Sequence, residues 1–122
     1  MNILLVDDDV FLRDMYATKF GEAGHTVTTA EHGEQALEML SNHTFDVVLL
    51  DMIMPGMTGV EFLKKAQTVE MSSRPRFVVL SNQGGKEEID AAMQAGAVGY
   101  IVKAEFIPSE VVSEVTKLME KQ

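Results

Sequence analysis

Four short runs of mostly apolar residues recur along the chain, each closed by a chemically active group. Ile3-Leu4-Leu5-Val6 runs into three aspartates, Val47-Val48-Leu49-Leu50 into Asp51, Phe77-Val78-Val79-Leu80 into Ser81, and Gly99-Tyr100-Ile101-Val102 into Lys103. Runs this short, with little polar alternation, are the pattern of strands buried on both faces. A fifth stretch, 25–30, is rich in Val and Thr and reads as a more polar strand nearer an edge. Between these runs the apolar positions change to helical spacing. Leu12, Met15, Tyr16, Phe20 and Ala23 predict a first helix over 10–23, with Gly24 as its stop. Gly33, Ala36, Leu37 and Leu40 predict a second, ending near Ser41 and Asn42. Pro55, Gly56 and Gly59 force a loop after Asp51, and Thr58 with Glu61 forms a capping box for a third helix that turns Phe62, Leu63, Ala66 and Val69 inward. Ile89, Ala92 and Met93 mark one side of a fourth helix that stops at Gly96, and Pro108 opens a fifth with Val111, Val112, Val115, Leu118 and Met119.

Five strands alternating with five helices, spaced for right-handed crossovers, predict an α/β fold: a three-layer sandwich around a parallel sheet. The polarity of strand two and the fully apolar strand one suit the flavodoxin-like order 2-1-3-4-5. With no repeat, low-complexity tract or linker, residues 1–122 are expected to form a single domain.

Composition narrows the classes. A length of 122 residues with 46% hydrophobic residues is that of one ordinary globular domain. No apolar run reaches membrane-spanning length, and the N-terminus enters a strand without a signal-peptide pattern, so no membrane association is expected. The formal charge of −9 opposes direct nucleic-acid binding and suits a cation or a basic partner. Zero cysteines exclude thiol chemistry and fit a cytoplasmic protein. His25, His32 and His43 have no metal-ligand spacing and read as surface residues, and no Gly-x-Gly-x-x-Gly follows a strand.

In a parallel sheet the strand ends share one edge, where ligands of such folds bind. Asp7, Asp8, Asp51, Ser81 and Lys103 therefore meet there although far apart in sequence. Asp9 reads as a solvated residue or a helix cap rather than a further member of the group. Two carboxylates about 4 Å apart repel by roughly 1–4 kcal/mol, so either one holds a proton or a cation sits among them. A hard divalent ion such as Mg²⁺ suits oxygen donors. An ammonium and a hydroxyl suit the outer oxygens of a phosphoryl group, and a carboxylate beside them can accept that group as an aspartyl phosphate.

These motifs, in this order and at these spacings, resemble the receiver domain of two-component response regulators over nearly the whole chain. The resemblance rests on 3–9 (Ile-Leu-Leu-Val-Asp-Asp-Asp), 47–59 (Val-Val-Leu-Leu-Asp-Met-Ile-Met-Pro-Gly-Met-Thr-Gly), Val-Val-Leu-Ser at 78–81 and Gly-Tyr-Ile-Val-Lys at 99–103. It implies a bacterial-type phosphorelay switch, itself not an enzyme beyond its own phosphorylation and dephosphorylation. Asp51 matches the phosphoacceptor, loaded from the phosphohistidine of a sensor histidine kinase or phosphotransfer protein. Asp8 matches a direct Mg²⁺ ligand, Asp7 one acting through water, and the backbone carbonyl of Ile53 a further ligand beside Asp51. Ser81 and Lys103 match the groups that contact the phosphoryl oxygens, and Tyr100 the aromatic switch that follows Ser81. Residues 86–120 then form the face that regulates a downstream protein or output domain.

The chain departs from the family pattern at two places, and two further residues fall where the family varies. Ala104 replaces a proline whose preceding peptide bond is cis, which predicts a trans loop and a less firmly held Lys103. Asn82 is larger than the usual small residue and is expected to narrow access to the acceptor. Ile53 and Gln83 occupy positions that tune hydrolysis in the family, and an apolar Ile53 predicts a long-lived phosphoryl group. The alternative functions are a pseudo-receiver scaffold that is never phosphorylated and, less favoured, a haloacid-dehalogenase-like phosphatase. The latter needs Asp-x-Asp and a nearby Thr after strand one, where this chain has Asp7-Asp8-Asp9-Val10-Phe11.

Overall fold

A computed structural model describes residues 1–121. Its strands are β1 (Asn2–Val6), β2 (Thr26–Ala30), β3 (Val47–Leu50), β4 (Arg76–Ser81) and β5 (Ala97–Val102). Its α-helices are α1 (Val10–Glu22), α2 (Gly33–Asn42), α3 (Gly59–Ala66), α4 (Lys86–Gln94) and α5 (Pro108–Glu120), with a short 3₁₀ turn at Lys103–Glu105. All strand pairs are parallel, and the sheet order is 2-1-3-4-5. The predicted three-layer, flavodoxin-like architecture is the observed one.

The alternation within the apolar runs shows why they carry so little polarity. Leu4, Val6, Val48, Leu50, Phe77 and Val79 enter one core with α2, α3 and α4. Ile3, Leu5, Val47, Leu49, Val78 and Leu80 enter the other with α1 and α5. Each central strand is thus sealed on both faces, and its only route to solvent is its end. β2 lies at an edge and alternates exposed and half-buried residues, as its Thr content predicts.

The helix boundaries follow local chemistry. Asp9 caps α1 by accepting from the Leu12 amide at 3.1 Å, and Thr58 with Glu61 closes the capping box of α3. Gly24 and Gly96, the predicted stops, adopt positive φ of 96° and 119°. Three expectations fail. Ala23 is exposed and lies one residue beyond the end of α1. Val69 is not on α3, which ends at Ala66, where the Arg74 guanidinium takes the carbonyls of Ala66, Gln67 and Val69. Met93 is not part of the buried side of α4; it is 43% exposed, and Ala92 alone of that helix is buried.

Candidate functional site

The carboxyl edge of the sheet opens into a cleft of about 270 Å³, and Asp7, Asp8, Asp51, Ile53, Ser81 and Lys103 all line it. β1 delivers Asp7 and Asp8, β3 delivers Asp51, β4 ends on Ser81, and the 3₁₀ turn after β5 holds Lys103. The loop after Asp51 is tightly constrained. A Cβ on Gly59 would lie 2.8 Å from both the Asp51 carbonyl oxygen and the Met52 Cα, so only glycine lets α3 start that close to the end of β3.

Lys103 joins the strand ends. Its Nζ donates to Asp7 Oδ2 at 2.9 Å and to Asp51 Oδ2 at 3.0 Å, with only 5% of its side chain exposed. The expected trans loop is present, since the described residues contain no cis peptide bond. The expected loosening of Lys103 is not: two carboxylates hold the ammonium without help from a proline. This also alters the picture of three acids crowding one another. Among the described residues no three acidic or histidine side chains are grouped so as to hold a metal by themselves, and the ammonium is bonded to both Asp7 and Asp51.

The other oxygen of Asp51, Oδ1, accepts from the Ser81 hydroxyl at 2.8 Å and from the Ile53 amide at 3.2 Å. Ser81 Oγ in turn accepts from the Gln83 amide at 3.2 Å. The Gln83 carbonyl accepts from the Tyr100 hydroxyl at 2.6 Å. Tyr100 is thus tied to Asp51 through two residues, with its ring half-buried against the α2–α4 core. Gln83 is the link that sequence reasoning missed, because its contribution is backbone. Arg13 was missed too: its Nη1 donates to the Asp7 carbonyl at 3.1 Å and braces the acidic turn from α1. A cation near the start of the helix that follows three acids was the available signal. Asn82 is exposed and lines the cleft.

Lys103 titrates above its ordinary value. Burial alone would lower it, but the Asp7 hydrogen bond and the charges of Asp51 and Asp7 outweigh that. Tyr16 and Tyr100 are also raised, in both cases mainly by burial. All three groups bind their proton more tightly folded than unfolded. Their contribution to stability is therefore intact below about pH 10 and is lost as pH rises beyond it. Denaturant midpoints should be flat from these groups between pH 7 and 9 and fall above about pH 10, with a shallower alkaline fall in Lys103→Met.

A family model described as the response regulator receiver domain matches residues 3–116. The chain is a response regulator receiver domain. It is 34% identical over 105 residues to the chemotaxis protein CheY homolog of Campylobacter jejuni, covering 84% of this chain and 81% of that protein. It is 32% identical over 122 residues to the chemotaxis protein CheY of Pseudomonas aeruginosa, covering 99% of this chain and 98% of that one. Among solved structures, chemotaxis protein CheY4 of Vibrio cholerae superposes with a TM-score of 0.88 at 30% identity, covering 96% of this chain and 97% of the other. The same domain also occurs within longer proteins: the chain spans 52% of the phosphate regulon transcriptional regulatory protein PhoB of P. aeruginosa, at 29% identity. Receiver domains are signalling modules of two-component systems, which fits a phosphorelay role and a non-enzymatic one.

Proposed function

We propose that this receiver domain takes a phosphoryl group onto Asp51 from the phosphohistidine of a sensor histidine kinase or phosphotransfer protein, and passes the signal through residues 86–120. The observation that carries this reading is the arrangement around Asp51: one oxygen bound by an ammonium, the other by a hydroxyl and a backbone amide. A carboxylate oxygen of Asp51 attacks phosphorus, the P–O bond forms as the P–N bond to the donor imidazole breaks, and the imidazole leaves with the electron pair. Lys103 and Ser81 then bind the transferred oxygens, where charge is greatest. Ser81 leaves its bond to Asp51 for the new group, and the Gln83–Tyr100 bond carries that change toward β5.

The donor set fits Mg²⁺. Asp7, Asp8 and Asp51 outnumber the one Lys103 charge, every donor is a hard oxygen, and exposed Asp8 belongs to neither ion pair of the site. Asp8 and Asp51, with the Ile53 carbonyl, would hold the ion and Asp7 would do so through water; when bound it neutralises phosphoryl charge. Millimolar MgCl₂ should therefore raise the Tm of the wild type and leave Asp8→Asn unmoved. At a hundredfold excess over Kd the stabilisation is about 2.7 kcal/mol. Equal shifts in the two proteins would remove Asp8 from the ligand set.

Ile53 is 61% exposed at the mouth of the cleft and offers nothing that can orient an attacking water. Ile53→Asn is expected to shorten the lifetime of the phosphorylated form several-fold, and equal lifetimes would sink the idea. The function itself is tested by intact mass after incubation with acetyl phosphate or phosphoramidate and Mg²⁺. A folded chain that gains no metal-dependent phosphoryl adduct is a pseudo-receiver.

A further inference from the structure

Resting on the reading of residues 86–120 as the output face, we infer that its partner is a basic amphipathic segment of another protein and not a second copy of this chain. β5 is the outer strand of the sheet, with α4 packed in one core and α5 in the other. Ala97, Gly99 and Ile101 are buried, while Val98, Tyr100 and Val102 are exposed or half-buried. Val98 is 37%, Met93 43% and Ile107 62% exposed, so apolar side chains lie open along this face. Apolar anchors inside a polar rim are the anatomy of a protein-binding surface.

The rim is strongly one-signed. Between residues 86 and 120 seven carboxylates, from Glu87 to Glu120, stand against Lys86 and Lys117, since Lys103 is turned into the site. That leaves a net charge of −5, and Lys117 is already within 3.4 Å of Glu114. Symmetric pairing of two such faces sets like charges against each other, which disfavours a second copy. Nucleic acid and anionic membranes are repelled for the same reason. Lysine or arginine flanking apolar residues matches both features, and the Tyr100–Gln83–Ser81 bonds join this face to Asp51.

The test titrates the ¹⁵N-labelled chain with two short synthetic amphipathic peptides of identical leucine pattern, one bearing lysines and the other glutamates. The lysine peptide should shift amides in α4, β5 and α5 and bind at least about tenfold tighter, weakening as salt rises. Charge reversal by Glu87→Lys, Asp90→Lys and Glu114→Lys should invert the preference while phosphoryl uptake, read by intact mass, is unchanged. The inference is overturned if the glutamate peptide binds as well, if the lysine peptide maps to the Asp8–Asp9 mouth, or if the chain dimerises through this face in sedimentation. Absence of the phosphoryl adduct alone overturns the receiver reading, because the peptide preference is also measured on the unmodified chain.

Discussion

Asp51→Asn is expected to abolish uptake of a phosphoryl group from acetyl phosphate, leaving no adduct in the intact mass at times when the wild type is loaded. The substitution is nearly isosteric. An asparagine oxygen still accepts from the Ser81 hydroxyl and the Ile53 amide, which hold Oδ1 at 2.8 Å and 3.2 Å. What disappears is the anionic oxygen that Lys103 orients at 3.0 Å, and with it the nucleophile. The fold should survive, because the four residues of β3 before Asp51 are fully buried and untouched. Lys103 keeps its bond to Asp7 when the Asp51 charge is removed, so the ammonium is not orphaned and the melting temperature should change little. Asp7, Asp8 and Asp9 are the other carboxylates of the cleft, but Asp7 is buried against Lys103, Asp9 caps α1, and Asp8 is not paired with Lys103. An adduct of wild-type yield on Asp51→Asn would place the acceptor elsewhere and refute the assignment.

Most of the architecture was legible because the central strands are short and doubly buried. A chain segment such as 47–50 can be hydrophobic at every position only if helices cover both faces, and that requirement leads to the parallel, three-layer sheet. The strand ends were legible for the same reason: Asp51 and Lys103 are polar residues abutting runs that have no other outlet. Side-chain capping was equally readable, as at Thr58 and Glu61. The misses are of a different kind. Val69 continued the helical spacing, but α3 is ended by Arg74, eight residues beyond its last helical position, and no local pattern encodes that. Met93 fits a stripe by spacing, yet α4 sits over the sheet margin and buries only Ala92. The firmness of Lys103 was underestimated because it was sought in the backbone at Ala104, whereas two carboxylates from distant strands supply it. Gln83 contributes through its main chain, so its side chain carried no signal.

The second large effect follows from that pair of bonds. Lys103→Met keeps the volume and the apolar stem but leaves Asp7 and Asp51, with side chains 4% and 15% exposed, facing each other without the ammonium. Removing one partner of a buried ion pair costs about 3 kcal/mol, more than the pair itself contributes, because the orphaned charge stays desolvated. For a domain of this size that lowers Tm by about 10 °C. Asp7→Asn combined with Lys103→Met should recover at least about half of the loss, since the more deeply buried of the two orphaned charges is then gone and only Asp51, with its side chain 15% exposed, stays unpaired. Phosphoryl uptake should respond differently. Loss of one charged contact to the transferred oxygens slows it at least about 100-fold, and the second substitution has no means to restore it. Stability and reactivity therefore separate in the double variant, with the first largely returned and the second still lost. If stability and uptake instead recover together, Lys103 acts only as a strut between Asp7 and Asp51; if neither changes in Lys103→Met, the two bonds contribute nothing and the electrostatic account of the site is wrong.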